Sequence, residues 1–264
     1  MNSSVSVVIP TYDDSDTIFR AISSVLNQTR LPLEIIIVND SGCKDYCRFL
    51  DKLVENLFCE IAINIIHLPS NKGASHARNL GWKISKGEYV AFLDADDTWH
   101  PRKLEIQISE MLEHGAQVMG CRADRYEVDE CGSILNYSIK LCSLSKFLLS
   151  NQFTTTSSVI LRADTKFQFD ETQAYSEDYL LWLNLLDSGE RVFYIDLCLS
   201  YYHKPLYGSS GLSESLFSMY KGELLVYKKA MGGTVFKRLC LPFLYFWSSV
   251  KFLGRYFKVL MDVS

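Results

Sequence analysis

The stretch Val90-Ala91-Phe92-Leu93-Asp94-Ala95-Asp96-Asp97-Thr98-Trp99 decides the fold. Its apolar run, entered from Gly87, stops abruptly at three acidic residues, the pattern of a buried strand with Asp94, Asp96 and Asp97 at its carboxyl end. Open α/β sheets bind their ligands at that edge. Two carboxylates one residue apart, without nearby basic neighbours, repel unless a cation lies between them, and a divalent metal carrying a phosphate is the economical candidate. The same residues also read as an acidic turn capping the next helix, with Asp97 or Thr98 as N-cap and Pro101 in the first turn.

On the N-terminal side the pattern repeats. Val5 to Ile9 is a β-branched run broken only by Ser6 and closed by Pro10, and Leu33 to Val38 is a second run that ends in Asn39-Asp40-Ser41-Gly42. Between them Asp13, Asp14 and Ser15 offer N-cap chemistry to a helix with Ile18, Ala21, Ile22, Val25 and Leu26 on one face. A helix over about Tyr46 to Phe58 and a strand over Ile61 to Leu68 complete an alternation that predicts a parallel, Rossmann-like nucleotide-binding half. The glycine patterns of dinucleotide-binding and P-loop proteins are missing. In their place stands Asn71-Lys72-Gly73-Ala74-Ser75-His76-Ala77-Arg78-Asn79, a glycine turn into a helix with two cations. Lys72 and Arg78 there suit a diphosphate, or simply a helix start with solvated charges.

On the C-terminal side, Pro101 to His114 reads as an amphipathic helix and Ala116 to Val128 as a strand, followed by a hairpin turn at Asp129 to Ser133. Phe147 to Leu161 leads through Thr154-Thr155-Thr156-Ser157-Ser158 into another strand. Successive β elements here predict that the sheet turns mixed, with an antiparallel part suited to an acceptor. Ser176-Glu177-Asp178-Tyr179, followed by an apolar-periodic run, is a helix start where the dipole favours carboxylates.

With 264 residues, 48% hydrophobic and 13% aromatic, the chain has material for one large α/β domain with a C-terminal appendage. A formal charge of −4 supplies no basic field, so no nucleic acid partner is expected. Eight cysteines show neither zinc-site nor disulfide spacing and read as reduced core thiols. The N-terminus enters a strand without the charged and apolar regions of a signal peptide, which predicts a cytoplasmic protein.

Four stretches, Val8-Ile9-Pro10-Thr11-Tyr12, Ile37 to Gly42, Asn71 to Asn79 with Leu93 to Asp97, and Ser176 to Tyr179, stand in an order and spacing that resemble the family 2 glycosyltransferases of the GT-A fold. The resemblance runs from about Val5 to about Tyr207 and is nearest to bacterial enzymes that extend lipid-linked O-antigen or capsule repeat units. It implies an α/β GT-A fold: a Rossmann-like half with a mixed central sheet, plus C-terminal helices. The division implied is a catalytic domain over 1–210, with 1–100 binding the nucleotide sugar and 101–210 the acceptor, and a helical region over 211–264. By the same resemblance, Pro10, Thr11, Tyr12 and Asp14 line the base pocket, although relatives more often carry Glu where Asp14 stands. Asp40 accepts from the uracil imide, and Lys72 and Arg78 are the basic pair near the donor. Asp94-Ala95-Asp96 binds ribose and Mn²⁺ or Mg²⁺. Asp178 is the general base, with Glu177 beside it. His203, in a stretch that departs from the usual Arg-x-His-x-x-Ser order, lies where relatives contact the diphosphate or metal.

The implied reaction is inverting transfer from a UDP-sugar to a polyprenyl-diphosphate-linked saccharide. One positioned carboxylate and a metal to neutralise the leaving diphosphate serve that chemistry, whereas a glycoside hydrolase needs two carboxylates. Loops around 120–160 and 200–212 would set the choice of sugars. Two other classes share parts of this pattern. A sugar-nucleotide nucleotidyltransferase would need a Gly-rich, Arg/Lys-containing loop after Pro10, which is absent, and a non-catalytic membrane-associated member of the fold would not need Asp94, Asp96 and Asp178 together.

Beyond Gly211, Leu212 to Met231 is helical by pattern and Val235 to Val263 mixes aromatics with cations. Its longest uncharged run, Leu239 to Val250, holds Pro242 and is too short to span a bilayer. Lys237, Arg238, Lys251, Arg255 and Lys258 bracket the aromatics, as in helices lying on the inner face of the cell membrane. Packing on the catalytic domain or a homodimer contact is the equal alternative.

Overall fold

The computed structural model describes residues 3–126, 136–204, 215–233 and 235–262. Strand β1 (Val5–Thr11) lies parallel to β2 (Glu34–Asn39) on one side and to β4 (Tyr89–Phe92) on the other, and β2 pairs in parallel with the edge strand β3 (Ala62–His67). Helices α1 (Ile18–Leu26), α2 (Lys44–Glu55) and α3 (Ala74–Ile84) make the crossovers. Residues 34–39 are buried throughout, as a central parallel strand requires, whereas β3 alternates exposed and half-buried positions.

The sheet changes direction at β4, which pairs antiparallel with β8 (Val159–Arg162); β8 pairs antiparallel with β6 (Val118–Arg125), and β6 pairs in parallel with β9 (Val192–Tyr202). The far edge of β9 carries β7 (Ile139–Leu141) along its first half and the two-residue β5 (Thr98–Trp99) along its second. The order is therefore β3-β2-β1-β4-β8-β6-β9-β5, the mixed sheet that the sequence predicts.

Alternate residues of the strands feed two cores. Val7, Ile9, Ile35 and Ile37 face one together with the apolar stripe of α1. Val8, Ile36, Val38 and Phe92 face the other, under α3 and α6 (Glu177–Asp187). Gly81 lets α3 settle on β1, since a Cβ there would come within 2.4 Å of the Val8 side chain.

Several expectations are corrected. Thr98 is no helix cap: it pairs with Tyr201, and α4 (Lys103–His114) starts later, after Arg102. Helix α1 begins after Thr17, without a side-chain cap; the Asp14 carbonyl takes the Thr17 and Ile18 amides while its carboxylate turns back toward Thr11. Strands β5, β7 and β9 and helix α5 (Leu144–Leu149) were not anticipated. Among the described cysteines only Cys121 and Cys142 are core thiols, whereas Cys43, Cys59 and Cys240 are exposed. The turn expected at Asp129 to Ser133 lies outside the described residues.

The C-terminal region folds as α7 (Leu216–Ala230), α8 (Val235–Leu239) and α9 (Leu241–Asp262). Of the cations that bracket its aromatics Arg238 is exposed, whereas three others meet carboxylates. Lys251 and Arg255 turn inward onto the buried carboxylate of Glu223 in α7, and Lys237 pairs with Asp187. The side chain of Lys258 lies outside the described residues. On the outer side of α9, Phe243, Phe246, Val250, Leu253 and Phe257 recur every three or four residues, all exposed.

Candidate active site

After β1 the chain moves outward through β2 and β3 and returns to β4 on the other flank of β1, so the order reverses between β1 and β4. A crevice opens outside the carboxyl ends of strands at such a point. Thr11 closes one wall and Asp94 the other.

On the Thr11 side, the Asp14 carboxylate accepts from Thr11 Oγ1 at 3.0 Å and from the Tyr12 amide at 2.8 Å, while Thr11 Oγ1 also meets the Tyr46 hydroxyl. This tight loop holds Asp13 at φ 58°, a left-handed conformation uncommon outside glycine. Burial pushes the Asp14 carboxyl up, against the hydrogen bonds that favour its charge. Pro10 sits within β1, paired with Val38, and the ring of Tyr12 is 56% exposed. Asp40 is buried, its two oxygens accepting the backbone amides of Lys72 and Gly73 at 2.7 Å each. The carboxylate thereby ties the glycine loop to the end of β2, and the Lys72 side chain stays exposed.

On the other wall, Arg78 has a place the sequence did not suggest. It is 6% exposed, donates to Asp94 Oδ1 at 2.8 Å and to Glu177 Oε1 at 2.9 Å, and lies over the Phe169 ring at 5.4 Å. Burial works against its charge, but Asp94 and Glu177 outweigh burial and raise its pKa. Arg78 therefore bolts the acidic strand end to the helix that starts at Glu177, and its guanidinium is committed to protein carboxylates. Replacing Arg78 by Ala should leave two carboxylates uncompensated in a dry setting and cost about 3–5 kcal/mol of stability in chemical denaturation.

The acidic strand end has basic neighbours after all. Lys204 pairs with Asp96 Oδ2 at 3.2 Å and Arg20 donates to the Asp96 carbonyl at 2.9 Å. Behind them, Ser157 Oγ accepts the Asp94 amide at 3.0 Å and donates to Asp97 Oδ2 at 2.6 Å. Asp97 is buried, and burial together with Asp94 raises its pKa well above the usual carboxylate range. His203 brings Nε2 to Thr98 Oγ1 at 2.9 Å and stacks on Tyr126, and burial lowers its pKa.

Ser176, which precedes α6, is the other non-glycine residue with positive φ among those described, at 58°. It delivers Glu177 and Asp178 together to the crevice. Glu177 is buried against Arg78, whereas Asp178 keeps part of its surface open and accepts the Tyr179 amide at 2.7 Å. Burial, the adjacent Glu177 and, further off, Asp94 push the Asp178 carboxyl up to about 7, against the pull of Arg78.

Asp97 stands at the strand end as the sequence predicts, and Ser157, Arg20, Lys204 and Asn79 join the site without a role assigned to them from the sequence. Asn79 pins the segment before α6 by donating to the Phe169 carbonyl at 2.9 Å and accepting its amide at 3.0 Å. The run Thr154 to Ser158, polar and leading into an apolar strand, was the sequence signal for Ser157.

The chemistry of the carboxylates fits Mg²⁺ or Mn²⁺: hard oxygen donors, one oxygen each of Asp94 and Asp96 outside the pairs with Arg78 and Lys204. Among the described residues no group of three or more His, Cys, Asp or Glu that could hold an ion is present, so His203 does not join Asp94 and Asp96.

A mixed sheet with acidic residues at the switch point and a carboxylate helix facing them is the architecture of the GT-A glycosyltransferases. Solved structures agree in fold: *S. aureus* TarS 1-349 in complex with UDP-GlcNAc superposes with a TM-score of 0.68 at 20% identity, over 97% of this chain and 73% of that one. The mannosyltransferase PcManGT from Pyrobaculum calidifontis, in complex with GDP-Man and Mn2+, gives 0.65 at 13% identity, over 93% and 73%. Residues 6–180 match the model of glycosyl transferase family 2, and the chain belongs to that family. Among curated relatives, the Escherichia coli UDP-Glc:alpha-D-GlcNAc-diphosphoundecaprenol beta-1,3-glucosyltransferase WfgD is 34% identical over 183 residues, 69% of each chain. WfaP of Escherichia coli, described in the same words, is 32% identical over 213 residues, 75% of this chain and 76% of its own.

Proposed function

We propose that this enzyme transfers a sugar, with inversion, from a UDP-sugar to a hydroxyl of a polyprenyl-diphosphate-linked saccharide during assembly of a bacterial surface polysaccharide. The observation that carries the reading is the Asp94–Arg78–Glu177 bridge, which joins the acidic strand end to the helix bearing Asp178 in one crevice. WfgD and WfaP, named for glucosyl transfer to diphosphoundecaprenol-linked GlcNAc, support the substrate classes.

Residues 1–100 hold the nucleotide sugar, 101–210 the acceptor, and 211–264 form the helical appendage. Tyr12, on the exposed rim, stacks on the base; the Thr11–Asp14 loop shapes its pocket, and Asp40 presents its remaining lone pairs to the uracil imide. Lys72 reaches the diphosphate, while Arg78 positions Asp94 and Glu177. Asp178 takes the proton from the acceptor hydroxyl as its oxygen attacks the anomeric carbon and the bond to UDP breaks. Mn²⁺ or Mg²⁺ held by Asp94 and Asp96 supplies neutralisation of the departing diphosphate.

Incubating the protein with a synthetic GlcNAc-diphosphate-lipid and a panel of UDP-sugars, followed by mass spectrometry, tests this. Addition of one sugar with release of UDP is expected. Failure of every UDP-sugar, with UDP itself bound, would defeat the assignment of acceptor class.

The outer face of α9 supports attachment at the inner face of the cell membrane. Among described residues, no helix is long and apolar enough to cross a bilayer. The exposed positions of α9 up to Phe257 carry no charge, so adhesion should come from apolar insertion and survive high salt. Full-length protein should sediment with liposomes at low and high salt, and Phe243→Asp with Phe246→Asp should release it. Retention in the supernatant at both salts would overturn membrane attachment and leave α9 as a dimer contact.

A further inference from the structure

We propose that α7 and α9 form a brace that sets the position of Asp178, with Gly222 and Glu223 as its positioning residues. The proposal rests on Asp178 being the base.

The brace meets the base-bearing turn directly. Gly222 packs on Tyr175 so closely that a Cβ would lie 2.7 Å from the Tyr175 Cβ and 2.8 Å from its carbonyl oxygen. The same carbonyl accepts from buried Gln173 Nε2 at 2.8 Å. Tyr175 is thus held from two sides one residue before Ser176, whose left-handed backbone turns the chain into Glu177 and Asp178. A residue in that region of φ persists only where its surroundings hold it there.

One turn along α6, Tyr179 continues the contact. Its ring meets that of Tyr227 edge to face at 6.1 Å, and both hydroxyls donate to α5, to Phe147 O at 2.6 Å and Leu148 O at 2.8 Å. The Tyr227 hydroxyl also lies 2.9 Å from Glu223 Oε1, so its one proton is shared between the two acceptors.

Glu223 fixes where α7 stands against α9. Its buried carboxylate receives Lys251 on one oxygen and Arg255 on the other, the latter at 2.7 Å. Burial opposes the charge, but the two cations outweigh burial and hold the carboxyl below its usual range. A buried ion cluster of this kind adds little net stability compared with an apolar core, and a fixed register between the two helices is what it provides here. Slippage of α7 along α9 would carry Gly222 away from Tyr175 and release the turn.

The charged groups around Asp178 are Glu177 on its own helix, Arg78 on α3 and Asp94 beyond β4. Gly222→Ala changes no charge, so a displaced midpoint in that variant reports movement of Asp178, whereas Glu223→Gln also removes a charge that acts on the neighbouring Tyr179.

The test uses the full chain carrying Gly222→Ala or Glu223→Gln. Three quantities are measured: kcat against pH, UDP affinity by calorimetry, and the ¹³C titration of the Asp178 carboxyl, assigned with Asp178→Asn. Expected are a fall in kcat of about tenfold or more, as displacement of a catalytic group by a fraction of an ångström brings, UDP affinity within about twofold of wild type, and a displaced carboxyl midpoint. If Gly222→Ala fails to fold, Glu223→Gln carries the test. Folded variants with wild-type kcat and carboxyl midpoint, changed only in melting temperature, would overturn the brace. Should wild-type turnover prove independent of Asp178, the base assignment fails separately and the ¹³C midpoint alone judges the brace.

Discussion

Asp178→Asn is expected to lower kcat by about 10²–10⁴-fold, the range that one positioned general base contributes, with UDP affinity nearly intact because the base acts on the acceptor. Asparagine keeps the oxygen that accepts the Tyr179 amide, so the fold should persist. Wild-type kcat should rise with pH through about 7, where Asp178 loses its proton, and that acid limb should vanish in the mutant's residual activity. The same shift has a consequence for stability. A carboxyl raised from 3.8 to about 7 binds protons more tightly in the folded than in the unfolded state. Its favourable contribution is complete below pH 4 and lost as pH rises through 7. With roughly 1.4 kcal/mol per tenfold change in proton affinity, discounted for coupling to Glu177 and for the partial exposure of Asp178, Asp178→Asn should be more stable than wild type by about 2 kcal/mol above pH 8 and equal to it near pH 4. A pH-independent wild-type kcat, or UDP affinity lost along with turnover, would show that Asp178 is a donor-site or structural residue.

The second large effect is expected at the strand end. Asp96→Ala should reduce metal-dependent turnover on the order of 100-fold or more, and EDTA should do the same to wild type. UDP affinity gives a readout apart from catalysis: Mn²⁺ should tighten UDP binding to wild type and have no effect on Asp96→Ala. The neighbouring substitution should behave differently. Asp94→Ala removes a partner of buried Arg78 and should lower stability as well, whereas Asp96 is a third exposed and touches Lys204 at the rim. Full activity in EDTA, or in both mutants, would defeat the metal assignment.

The elements legible in the sequence were those whose residues all answer to one environment. The parallel half shows itself in runs dominated by β-branched residues because strands buried on both faces leave few polar positions, and the acidic strand end shows itself because the run stops so sharply. β9 was missed although it is the longest strand: Tyr194, Asp196 and Cys198 face half-open surroundings, which dilutes its pattern. β5 has two residues and exists only because β9 is there to pair with it. In the site, the residues at strand and helix ends were readable and their partners were not. Nothing local tells Arg78 that its charge will be consumed by Asp94 and Glu177, and a lysine such as Lys251 looks solvent-bound until Glu223 is found facing it across 28 residues. The sequence presents Lys251 and Arg255 as cations for an anionic surface, and the fold turns both onto the buried Glu223 carboxylate while Phe243, Phe246 and Phe257 stay exposed.

The place of β8 in the sheet bears on the order in which the site comes into being as the chain is synthesised. The first four strands pair with one another in sequence and have all been synthesised once about a third of the chain is made. At that moment β4 is still a bare edge. The hydroxyl that will fix the Asp94 amide lies 63 residues further on, and the second carboxylate for Arg78 is 99 residues beyond it. Chains fold from the N-terminus as they emerge, so the residues proposed to hold the nucleotide are synthesised well before the carboxylate proposed to use it. On those assignments the means of holding a donor precedes the means of spending it in the order of synthesis.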